Sequence, residues 1–132
     1  MIDKSNEIFN IVATDLRAAV PEIKVIGEFV YSPTVFPTVT IDEISNIPVH
    51  LDSASQSKYA QVVYRVQVFS NKRDGKRAEA RDIYKRVDDL MQQMGFFATT
   101  YSSTPTIYNA EIYSITATYQ VVIDENGTVY RG

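Results

Sequence analysis

At 132 residues the chain has the length of one ordinary domain, and with 45% hydrophobic and 22% charged residues it holds enough apolar material for a core and falls outside the disordered class. A net charge of −3 gives no support for binding along a phosphate backbone, which needs clustered Lys and Arg. The absence of cysteine excludes disulfides, thiolate nucleophiles and Cys-ligated metal sites.

Residues 3–20 read as a helix, because Ile8, Phe9, Val12, Leu16 and Ala19 recur at three- and four-residue spacing and share a face. Asp3 or Ser5 can cap its start, and Pro21 stops it by disfavouring helical geometry in the residue before. No apolar run follows a basic start at Met1, so no signal peptide is expected, and no stretch nears the roughly 20 apolar residues of a membrane span. Residues 23–31 read as a strand, closed by a turn at Ser32 and Pro33. Residues 36–44 read as a second strand, with Phe36, Val39, Ile41 and Ile44 apolar and Thr38 and Thr40 opposite. Residues 45–57 are small and polar, which suggests a functional arm or a mobile connection.

The clearest strand is 58–69, in which Ala60, Val62, Tyr64, Val66 and Val68 alternate with Gln61, Val63, Arg65, Gln67 and Phe69. Such period-two alternation implies an antiparallel sheet with one face on the core. A polar turn, 71–75, leads to a second helix over 76–94, with Ala80, Ile83, Tyr84, Val87, Leu90, Met91 and Met94 as its apolar stripe and Gly95 placed for a left-handed cap. A short strand over 96–101, a polar connection over 102–109 and a long strand over 110–124 follow. Ile115, Ala117, Tyr119, Val121 and Ile123 share one face of that last strand, and a turn at 124–127 lets 128–131 pair back as a short arm. The expected class is therefore α+β in one domain over 1–132, in the order α-β-β-β-α-β-β, with two helices on one face of a mainly antiparallel sheet.

The ionisable residues do not converge on a reaction. His50 is the single histidine, and Asp42, Glu43 and Asp52 are not spaced with it as a ligand set. Asp42 and Glu43 are adjacent, so on a strand they point to opposite faces. The five glycines form no phosphate-cradling loop, and the serines of 53–57 lack a nucleophile-elbow pattern. No enzymatic role, cofactor or metal is expected. The one concentration of charge is Lys72, Arg73, Lys76 and Arg77, followed by Arg81, Lys85 and Arg86. It suits contact with DNA or an acidic partner surface, but Asp74, Glu79 and Asp82 interleave with it, as on the wet side of any amphipathic helix. The nine tyrosines suit pleated strands and also protein–protein surfaces.

Four stretches taken in order resemble the tail terminator, or tail completion, proteins of siphophages and related particles. They are Phe36-Pro37-Thr38-Val39-Thr40-Ile41-Asp42-Glu43-Ile44, then Tyr64-Arg65-Val66-Gln67-Val68-Phe69-Ser70-Asn71, then the helix from Ala80 to Phe96, and finally Tyr119 to Asp124 with Gly127 to Arg131. The resemblance implies a sheet with two helices on one face. It also implies a homo-oligomer, a hexameric ring that caps the tail tube and joins it to the head. The implied partners are the tail tube protein and a head–tail connector protein, with no membrane and no sequence-specific nucleic acid. The implied place is the head-proximal end of the virion tail, after assembly in the host cytoplasm. The family offers no catalytic residues to carry over. The tail type stays open, since contractile tails and phage-derived bacteriocin particles carry similar proteins.

In a heterologous ring, one surface of each subunit binds a different surface of the next, and neighbouring strands or arms cover sheet edges. The candidate arms are 45–57, 102–109 and 127–132, and the candidate interface residues are His50, Asp52, Arg73, Lys76, Arg77, Tyr108, Tyr130 and Arg131. The alternative is a ferredoxin-like domain that binds a small molecule or regulates. The first helix preceding the first strand fits that topology poorly.

Overall fold

The computed structural model describes residues 5–29, 33–49, 59–106 and 109–124, with side chains described at all of these except 103–106 and 109–111. The elements are α1 (Ser5–Ala19), β1 (Lys24–Ile26), β2 (Thr38–Val49), β3 (Tyr59–Ser70), α2 (Lys76–Gln93), β4 (Phe97–Thr106) and β5 (Asn109–Asp124). They build one five-stranded sheet in the order β1-β2-β3-β5-β4. β1 runs parallel to β2, and the other pairings are antiparallel.

The period-two pattern of β3 decides the layering. Its register sets Val66 opposite Ile41 of β2 and Ala117 of β5, and Val68 opposite Val39 and Ile115. These residues share one face and are fully or almost fully buried. The helices cover that face: Ile8, Val12, Ala13 and Leu16 of α1 and Ala80, Ile83, Val87 and Met91 of α2 join the same core. α1 lies against β1, β2 and α2, while α2 lies against β3 and β5. The two helices therefore sit on one face of a mainly antiparallel sheet, in the order the sequence pattern indicates. Burying each of the larger aliphatic side chains is worth about 1.5–3 kcal/mol, so this shared face dominates the stability.

α2 ends in a tight cap. Gly95 takes φ 94°, its N–H donates to the Gln92 carbonyl, and the Phe96 N–H donates to Met91. This pair of bonds satisfies the last turn and turns Phe96 into the core. Gly75, at φ 101°, occupies the left-handed region just before Lys76.

Several boundaries depart from the sequence reading. β1 is only three residues long, because it pairs with just Thr38–Thr40 before the chain bends at Gly27. β2 starts at Thr38 rather than 36 and does not stop at 44: Ser45 to Val49 continue it, paired with Tyr59 to Val63. Ser45 to Val49 are thus strand and not arm, and residues 50–58 lie outside the described residues. The register shifts between Glu43 and Ser45, so Ile44 is the extra residue of a bulge, off the core side of Val39 and Ile41 and 45% exposed. β4 likewise runs on to Thr106 and β5 starts at Asn109, so the expected polar connection over 102–109 is mostly a hairpin. Its Ser and Thr residues suit a pleated edge as well as a loop. The C-terminal arm, 127–132, is outside the described residues. α1 closes at Ala19, which is exposed rather than core-facing; Ala13 takes up the buried position instead.

Candidate functional site

The second face of the sheet is polar. Thr40 donates to Gln67 Oε1 at 2.7 Å, and Arg65 pairs with Asp42 through Nη2–Oδ2 at 2.7 Å. The Phe29 ring lies over the Arg65 guanidinium, 4.3 Å from its centroid. Thr118 Oγ1 is 2.7 Å from the hydroxyls of both Thr99 and Thr100. Asp42 and Glu43 diverge as adjacent strand residues must: Glu43 accepts from the Tyr64 hydroxyl on the helix face at 3.0 Å.

On the helix face, Tyr119 is fully buried, and its hydroxyl lies 2.6 Å from both Asp88 Oδ1 and the Tyr84 hydroxyl. One O–H carries one proton. The carboxylate is the stronger acceptor, so Tyr119 donates to Asp88 and receives from Tyr84. Tyr84 in turn packs against Tyr101 of β4, with ring centroids 5.2 Å apart and the planes tilted by 55°. The cluster bolts α2 to the outer half of the sheet. Removal from water is the first cause that raises both hydroxyls above the ordinary tyrosine range, and the bond to Asp88 raises Tyr119 further. Unfolded tyrosines ionise near pH 10, so this stabilisation is complete below about pH 10 and is lost as pH climbs from there through the folded-state values. Stability is expected to fall above pH 10 by up to about 1.4 kcal/mol per unit for each group. Base titration followed by circular dichroism and tyrosinate absorbance checks this. Reversible ionisation of all nine tyrosines near pH 10 with the fold intact would contradict it.

A cleft of about 330 Å³ lies between the helices, lined by Asp15, Asp82, Lys85, Arg86, Asp89 and Leu90 among others. Arg86 and Asp15 pair across it at 3.4 Å, Arg86 exposed and Asp15 partly so. Its charges alternate in sign and are solvated, which gives it no selectivity for one charge of ligand. Among the described residues, no group of three or more His, Cys, Asp or Glu gathers to hold a metal, and no helix is long and apolar enough to cross a membrane.

Of the candidate interface residues, Arg73, Lys76 and Arg77 are described, and the structure brings them together. Arg73 lies in the turn after β3, and Lys76 and Arg77 begin α2. The turn is held by Ser70, whose hydroxyl donates to Glu79 at 2.7 Å and accepts from the Lys72 N–H at 3.3 Å. β5 begins four residues before Tyr113, the partner of Ser70, so the β4–β5 hairpin reaches past the same end of the sheet. His50, Asp52, Tyr108, Tyr130 and Arg131 lie outside the described residues.

The more extensive surface features are the sheet edges, which the sequence reading did not single out. β1 covers β2 only at Thr38–Thr40, and among the described residues no strand pairs with the outer side of β2 beyond that point. Among the described residues, β4 pairs with β5 alone. Ile44 and Ile47 on β2 and Phe97 and Tyr101 on β4 are four of the seven large apolar side chains exposed among the described residues. Ile47 and Phe97 are each more than half exposed. One signal was present: Phe96 and Phe97 are adjacent, so where a strand starts one must turn away from the core.

No protein-family model matches the chain, and no curated protein matches it either.

Proposed function

We propose that this protein is a structural subunit that assembles into a ring on the end of a phage tail tube, stops its growth and offers the surface that joins tail to head. The observation that carries the reading is the sheet itself: among the described residues it has two open edges on opposite sides, each with exposed apolar side chains. A subunit left with two such edges is prone to pair with other chains, and a closed ring of copies satisfies both. The stretches that resemble tail terminators add a second support. Their described parts fall mostly on β2, β3, α2 and β5, the framework rather than the surface loops, while Gly127 to Arg131 lie outside the described residues.

In this reading the partners are further copies of the chain in a hexamer, the tail tube protein and the head–tail connector. The place is the head-proximal end of the virion tail, and no catalysis is involved. The basic turn at Arg73, Lys76 and Arg77, together with the hairpin beside it, faces one end of the subunit and is a surface for the tube or the connector. Mass measurement of the purified protein, alone and mixed with tail tubes, tests the proposal, with negative-stain images of the tube ends. Rings, free or at tube ends, are expected. A chain that stays monomeric and never binds tubes would overturn it.

A further inference from the structure

We infer that the subunits join edge to edge, β2 of one copy pairing antiparallel with β4 of the next, so that their sheets run on into one closed surface. This deepens the ring reading and rests on it. Strand direction is the first argument. β2 opposes β3, β3 opposes β5 and β5 opposes β4, so β4 runs opposite to β2. A neighbour related by rotation about an axis along the strands therefore sets its β2 antiparallel to β4, the pairing the rest of this sheet uses.

Length and charge agree with that choice. Pro48 and Pro105 lack an N–H, which limits each edge and leaves windows of 41–47 on β2 and 97–104 on β4. Laid antiparallel and aligned from the end at residues 47 and 97, these windows set Ile47 opposite Phe97. Both residues lie on the polar face, Ile47 across from Gln61 and Phe97 across from Gln120, so their exposed apolar surfaces meet. β4 (FATTYSSTPT) carries no charge, whereas the β2 window holds Asp42 and Glu43. Pairing β2 with β2 would leave both β4 edges open and bring two copies of Glu43 near each other in one short ladder, Asp42 being offset by Arg65. Pairing β4 with β4 would leave both β2 edges open. Only β2 with β4 uses both edges of every copy, and closure then removes them.

The chain has no cysteine, so pairs can be introduced cleanly. The variants are Ile47→Cys, Phe97→Cys and the double variant, each checked by circular dichroism for an intact fold. They are treated with a mild oxidant and, in parallel, with a thiol cross-linker spanning roughly 10 Å, which tolerates a register slip of two residues. The double variant is expected to give a ladder of multimers that ends at the ring size. Equimolar Ile47→Cys and Phe97→Cys should give dimers only, and each single variant alone should give none. Dimers from Phe97→Cys alone would overturn the proposal in favour of like-edge pairing. A ring by mass with no cross-link in the double variant would overturn the edge contact and leave the ring reading standing. A monomer that also ignores tail tubes would overturn both. As a second measurement, Ile47→Lys is expected to shift the assembly at least tenfold towards monomer with the fold retained, and an unchanged ring would count against the contact.

Discussion

Tyr119→Ala is expected to destabilise the fold by about 3–5 kcal/mol, and Tyr119→Phe by about 1–3 kcal/mol. The ring is fully buried in the middle of β5, opposite Tyr64 of β3, which meets Phe96 edge-on at 5.4 Å. Truncation to alanine leaves a hole at the meeting of β3, β5 and α2, and close-packed surroundings relax into such a hole only in part. The phenylalanine variant keeps the volume and isolates the hydroxyl. Without it, Asp88 loses a donor and Tyr84 an acceptor, both 2.6 Å away. Against a total stability of about 5–15 kcal/mol, the alanine variant stands to lose roughly a fifth or more of the whole. Urea denaturation followed by far-ultraviolet circular dichroism measures both. If Tyr119→Phe matches the parent protein, the hydroxyl cluster contributes nothing and α2 is held by apolar packing alone.

Leu16→Ala is expected to cost about 2–5 kcal/mol. Leu16 is fully buried in the last turns of α1, where the helix meets β1, β2 and α2. The comparison is Ile11→Ala in the same helix. Ile11 is 40% exposed on the outer side, and its truncation should change stability by no more than about 0.5 kcal/mol. At this chain length each kcal/mol lost lowers the melting temperature by roughly 3–5 °C, so the two variants should separate clearly in a thermal melt. Equal losses would mean that α1 presents a different face to the sheet.

The helices and the two central strands were legible because their signals are local. The 3.6-residue stripe of α2 and the alternation of β3 and β5 each lie within one segment, and burial follows them residue by residue. β4 was read short because Ser102 to Thr106 carry hydroxyls that serve a loop and a strand equally; what makes them strand is pairing with β5, a fact outside the segment. Ser45 to Val49 were lost for the same reason, with Pro48 adding a misleading turn signal. The basic turn of Arg73, Lys76 and Arg77 was visible as composition. The open edges were not, because which strand lies outermost depends on the order of the whole sheet. Ile44 shows a misreading of a local signal: period two from Val39 and Ile41 already sets it on the other side, with Thr38 and Thr40, whereas the bulge beside it depends on the pairing with β3.

The position of β5 governs the order in which this chain can fold. It is the last strand of the five in sequence, yet it sits between β3 and β4 and pairs with both along most of its length. While the chain is being synthesised, β2 and β3 can form their hairpin and α2 can coil, but β3 then presents a bare inner flank and β4 has nothing to pair with. The sheet closes only when this inner strand arrives, and its pairing with β3 is distant in sequence, which slows folding. A chain halted before Asn109 is therefore a half-sheet with the inner flank of β3 unpaired, the kind of edge that pairs with other chains.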